Sequence, residues 1–172
     1  MKDNNEYKKD YQNPTDCYCF SIIQTKDNEI CYSEYNNNQI SFFDFMERKK
    51  KASIQNISKY RGYLARLIMI RKDLLLIPGN NQISIINTNE YKLVRTIEVP
   101  GASWIPGVCM LNKNMLLTGD YAKIIRQWKI EGDNLILISQ KEKTHNDNIY
   151  VLCNMGNGLI ASGSLDKTIK IW

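Results

Sequence analysis

Histidine is almost missing from this chain: His145 is the only one in 172 residues. A single imidazole leaves no second general base and no His-based metal site. The five cysteines (Cys17, Cys19, Cys31, Cys109 and Cys153) contain no CxxC pair. Cys17 and Cys19 would share one face of a strand, but nothing completes a zinc tetrad around them. Neither a GxxxxGK phosphate loop nor a GxGxxG dinucleotide fingerprint occurs. No apolar run reaches the roughly 18 residues that a membrane helix needs. The N-terminal MKDNNEYKKDYQNP is polar and charged, without the apolar core of a secretory signal. Reduced thiols, an unused sequon at Asn56-Ile57-Ser58, and a cytoplasmic location are the corresponding expectations, with nuclear import left open. No cofactor, metal or membrane is expected. Helical periodicity is absent as well.

What is present is a repeat. AKIIRQW (122–128) aligns without gaps under the closing DKTIKIW (166–172), and GDYAKIIRQW under GSLDKTIKIW. Further upstream stand NNQISII (80–86) and NNQISFF (37–43). The aligned bulky residues Phe43, Ile86, Trp128 and Trp172 are 43, 42 and 44 residues apart. A period in this range marks a stack of similar units, each burying its apolar faces against its neighbours.

Each unit reads as strands. IYVLCN and LIASGS flank MGNG, whose Asn157-Gly158 suits a type I′ hairpin turn. TIKIW then alternates apolar and polar residues. KDNE, RKD and NKN occupy the same turn position in the earlier units. ASIQNI, KLVRTIEV and NLILISQ each suit an outer fourth strand. Four strands in about 43 residues describe a propeller blade. The expectation is an all-β chain with a polar tail (1–14), blades at 15–57, 58–99 and 100–142, and a fourth blade at 143–172 lacking its outer strand.

The pattern resembles the WD-repeat β-propeller family from about Thr15 onward, most closely in Thr144-His145 and LIASGSLDKTIKIW. No literal Trp-Asp dipeptide occurs; in the third unit Ala122 replaces the turn aspartate and Gly101 the histidine. The resemblance implies that His145, Ser162, Asp166 and Trp172 form a buried network tying the entry loop to the strand turn. The first three side-chain types, His, Ser and Asp, also serve as a hydrolase triad. Ser162, however, sits inside an alternating strand, with no exposed elbow or oxyanion donors. The chain is therefore expected to be non-catalytic, and Asp166→Ala to cost stability.

The resemblance further implies a scaffold or adaptor in a multiprotein complex, binding protein partners through loops on one face. By position that face takes Tyr63 and Ala65 from the second unit, Trp104, Pro106 and Tyr121 from the third, and Asn148, Tyr150 and Leu165 from the fourth. A second feature is ERKKKAS, with Arg48, Lys49, Lys50 and Lys51 placed between the third and fourth strands of unit one. Such a run is ordinarily a solvated loop. The alternatives are a nucleic-acid patch, an import signal, or a kinase site at Ser53. The net charge of +5 argues only weakly for nucleic acid. Family rings have about seven blades, so four units are expected to be an arc of a larger propeller; completion by another chain and a closed four-bladed ring are the alternatives.

Overall fold

In a computed structural model, which describes residues 18–34, 38–58 and 66–172, all regular structure is β. Sheet one is β1 (Cys19–Lys26), β2 (Glu29–Glu34), β3 (Gln39–Asp44) and β4 (Lys49–Gln55). Sheet two is β5 (Ile68–Arg71), β6 (Leu74–Pro78), β7 (Gln82–Asn87) and β8 (Lys92–Glu98). Sheet three is β9 (Gly107–Asn112), β10 (Met115–Gly119), β11 (Ile125–Glu131) and β12 (Asn134–Lys141). Sheet four has β13 (Ile149–Gly156), β14 (Leu159–Ser164) and β15 (Ile169–Ile171). Every sheet is an antiparallel meander in sequence order.

The repeat extends to the backbone. Asn38, Asn81, Lys123 and Lys167, each at the turn into a third strand, have φ of 50°, 48°, 66° and 67°. Asparagine tolerates this left-handed conformation better than lysine does, and the turn recurs regardless. The ladders between third and fourth strands break register at Phe42/Phe43, Ile85/Ile86 and Gln127/Trp128, always at the aligned bulky residue. A bulge there increases the twist of the outer part of each sheet. Asn157 and Gly158 both have positive φ, 51° and 79°, as a type I′ turn requires.

The core lies in three seams between successive sheets. Side chains alternate across a strand, so β6 serves two of them. Leu75 and Ile77 enter the first seam with Ile40, Phe42 and Ile86. Leu74 and Leu76 enter the second with Ile83, Ile85, Leu116 and Trp128. Each fully buried leucine contributes about 2 kcal/mol of apolar transfer free energy. The third seam joins Cys109 and Leu117 to Ile149, Leu152 and Ile160, with Trp172 half-buried against them. Ile86, Trp128 and Trp172 thus each pack back onto the preceding sheet.

Candidate functional site: the entry loops and the face above them

In the fourth unit, His145 stands in the loop before β13, Ser162 in β14, Asp166 in the β14–β15 turn, and Trp172 directly after β15. The Trp172 indole donates to Ser162 Oγ at 2.8 Å. Ser162 Oγ lies 2.7 Å from His145 Nε2, and His145 Nδ1 lies 2.9 Å from Asp166 Oδ2. The Asn146 amide also donates to Asp166 Oδ2 (2.9 Å), and the Thr168 hydroxyl to Oδ1 (2.6 Å). Burial acts to raise the Asp166 carboxyl, but the hydrogen bonds from Thr168, Asn146 and His145 outweigh it and hold the group well below the usual carboxylate range. The order of groups is that of a hydrolase triad, yet Ser162 is 1% exposed and covered by both His145 and Trp172. A substrate has no route to its hydroxyl.

The third unit closes the same gap with different chemistry. Trp128 donates to Thr118 Oγ1 at 2.9 Å, repeating the indole–hydroxyl bond. With no histidine and no turn aspartate, Arg126 fills the space. Its guanidinium pairs with Asp120, both side chains being almost fully buried, and Nη2 donates to the Pro100 carbonyl at 3.3 Å. Burial pushes the Asp120 carboxyl up, against the pull of the Ile124 amide and Arg126. Lys170, which aligns with Arg126, donates in the same way to the Thr144 carbonyl (2.6 Å), and Ser84 to the Ile57 carbonyl (2.7 Å). Serine, arginine and lysine therefore build one recurring strut from the third strand to the entry loop. Stacking the units at a 43-residue offset exposes that position; motif reading alone passes over it.

These ties hold the loops whose outer face carries the aromatic residues. The Tyr121 amide donates to the Trp104 carbonyl and the Leu165 amide to the Asn148 carbonyl, each at 3.0 Å, so the same loop pair is laced in both units. Trp104 is half-buried, with ring centroids 4.9 Å from Tyr121 and 5.9 Å from Tyr150; those two rings are 5.0 Å apart and their hydroxyls are hydrogen-bonded. Edge-to-face packing of this kind fixes ring orientation. Tyr150 and Leu165 remain 39% and 51% exposed. Trp104, Pro106 and Tyr150 line a cleft of about 490 Å³ together with Phe20, Ile22 and Arg66. The last three were not foreseen, although the alternation of Phe20 and Ile22 along a first strand was a usable signal. Tyr63 and Ala65 fall outside the described residues.

The solved structures supply the decisive comparison. The chain superimposes on the WD40 β-propeller domain of Doa1 with a TM-score of 0.73 at 16% identity. The fold is that of WD-repeat propeller blades. The match covers 92% of this chain and 51% of the other, so the chain spans about half the length of that propeller domain. No protein-family model and no curated protein matches the chain.

In this WD-type arc the basic run is not a loop between strands. Lys49, Lys50 and Lys51 open β4, and only Arg48 lies in the turn, at φ 55°. The shift has a physical cause: the bulge opposite Phe43 lets pairing with β3 start early, at Lys49. Lys49 meets Glu47 (2.8 Å), Lys50 meets Glu34 (3.4 Å), and Lys51 meets Glu47 (2.7 Å) and Asp44 (3.5 Å). Each of the three lysines thus has a carboxylate within ion-pairing distance, with Glu47 shared between Lys49 and Lys51. Ser53 is exposed on the same strand. Cys31, Cys109 and Cys153 are free thiols, and burial pushes Cys109 up to about 11.

Proposed function

We propose that this chain is a non-catalytic interaction module that holds a segment of a protein partner on the loop face of its blades. The observation that carries the proposal is the stacked trio Trp104, Tyr121 and Tyr150 at the rim of an open cleft. Rigid aromatics present large contact area at low entropic cost and dominate protein-binding hot spots. Pro106, Asn148 and Leu165 flank them, and Arg66 gives the cleft a positive group for a partner carboxylate. The sealed position of Ser162 supports a structural role for the triad-like network. The ion-paired lysines of β4 favour protein over nucleic acid.

Tyr150→Ala combined with Leu165→Ala tests the reading. Leu165 is 51% exposed, and Tyr150 is 39% exposed but stacks on Trp104 and Tyr121, so the variant should stay folded with a modestly lowered melting temperature. Partners captured by the wild-type chain and quantified by mass spectrometry should be lost to the variant. Equal recovery by both proteins would contradict the assignment of this face. Salt-sensitive RNA binding that disappears on neutralising Lys49, Lys50 and Lys51 would favour a nucleic-acid module instead.

A further inference from the structure

Tyr121 and Tyr150 come from different sheets and meet on the loop face. Tyr121 lies in the turn between β10 and β11, and Tyr150 near the start of β13. The Ile149 amide donates to the Asp120 carbonyl at 3.2 Å, so the residues just before the two tyrosines are joined backbone to backbone. The Tyr121 amide is held in turn by the Trp104 carbonyl at 3.0 Å. The two ring centroids lie 5.0 Å apart with their planes inclined at 51°, and the Tyr121 hydroxyl donates to the Tyr150 hydroxyl. That contact sets the ring carbons ortho to each oxygen beside one another.

Among the described residues no other two tyrosine rings meet. Tyr91 packs on Phe42 and gives its hydroxyl to Glu29, Tyr32 is buried, and Tyr18 is 74% exposed. Trp104 stands edge-on to both members of the pair, with centroids at 4.9 and 5.9 Å, and limits how far they can part. Tyr150 is exposed and Tyr121 half-buried, so an oxidant in solution reaches the pair without unfolding the chain.

We propose that Tyr121 and Tyr150 form an oxidative cross-linking site, at which a one-electron oxidant joins the two rings by a carbon–carbon bond. The oxidant class is a haem peroxidase supplied with hydrogen peroxide. Each phenol gives one electron to the oxidant and its hydroxyl proton to water. The two ring radicals pair at carbons ortho to their oxygens. The hydrogen on each of those carbons then leaves as a proton while the oxygen regains one from water, which restores both phenols. In all, two hydrogens leave the protein and one peroxide is reduced to two waters. Holding the rings in contact makes their union effectively unimolecular, which favours it over coupling between chains. The new bond closes a loop from Tyr121 to Tyr150 and ties the third unit to the fourth. It depends only on the chemistry of the two rings and stands whether or not the loop face holds a partner.

The full 172-residue chain is treated at low concentration with hydrogen peroxide and a haem peroxidase, and the monomer is isolated under denaturing conditions. That monomer should show the blue fluorescence of coupled phenols and a mass lower by two hydrogens. After trypsin, residues 114–123 and 144–167 should be recovered as one linked pair. Tyr150→Phe keeps a ring in the stack but removes the hydroxyl, and the yield of cross-linked monomer should fall at least about tenfold. Tyr121→Phe should lower it equally. Tyr18→Phe removes an exposed tyrosine outside the pair and should leave the yield unchanged. No cross-link, cross-links only between chains, or a monomer cross-link that maps to other residues would overturn the proposal. An undiminished yield in Tyr150→Phe or Tyr121→Phe would overturn it as well.

Discussion

The third and fourth units perform the same structural task with different groups. Both tie an entry loop to a strand turn beneath one aromatic face. The fourth does so through His145, Ser162, Asp166 and Trp172, with Lys170 reaching the Thr144 carbonyl. The third uses the buried Asp120–Arg126 pair, with Arg126 reaching the equivalent carbonyl of Pro100. Gly101, at the histidine's position, has φ +71°, a left-handed conformation that favours glycine over residues with a side chain. What repeats between blades is the carbonyl that must be met and the direction it is met from. Side-chain identity is free to drift while that geometry is kept.

The largest expected effect that distinguishes the two solutions is on the buried ion pair. Arg126→Ala should cost about 3–5 kcal/mol in urea unfolding, because Asp120 is left buried without its partner. The glycine that opens β10 to its neighbour comes next. A Cβ on Gly119 would stand 2.7 Å from the Ile149 side chain within the third seam, so Gly119→Ala should cost about 1–3 kcal/mol. Its counterpart Gly163 faces Val151 at 2.8 Å, but Val151 is 48% exposed and can yield, so Gly163→Ala should cost less. His145→Ala should cost about 1–2 kcal/mol, the range for a buried hydrogen-bond partner removed.

The smallest effect separates the two carboxylates by pH. The Asp166 carboxyl is held below its unfolded value, so its stabilisation is present above about pH 4 and is lost as pH falls through the folded value. Asp120 is pushed in the opposite direction by burial and opposes that loss. Urea midpoints on the acid side should therefore fall more steeply in wild type than in Asp166→Asn, and more steeply still in Asp120→Asn. Identical acid limbs in all three proteins would contradict the account.

Much of the architecture was legible because it rests on periodic terms. The spacing of Phe43, Ile86, Trp128 and Trp172 and the turn at Asn157-Gly158 each reflect a local rule that the structure also obeys; TIKIW supplies the expected strand, but its alternating Ile169 and Ile171 are exposed while Lys170 is half-buried. The Arg126 strut was not legible. Serine, arginine and lysine at aligned positions share no motif, and only the carbonyl that they all meet makes them equivalent. The placement of Lys49–Lys51 in β4 depended on a bulge opposite Phe43, a tertiary register that charge patterning does not encode. Phe20, Ile22 and Arg66 line the cleft with Trp104, Pro106 and Tyr150, a meeting of distant segments that no local sequence rule encodes.

The most direct test of the central claim, that each unit holds its own loop by its own tie, is residue-resolved amide exchange on His145→Ala beside wild type. The account predicts faster exchange at Asn146 and Leu165, in the fourth unit, with the Tyr121 and Lys123 amides of the third unit unchanged. Faster exchange in both units alike, or in neither, would contradict it.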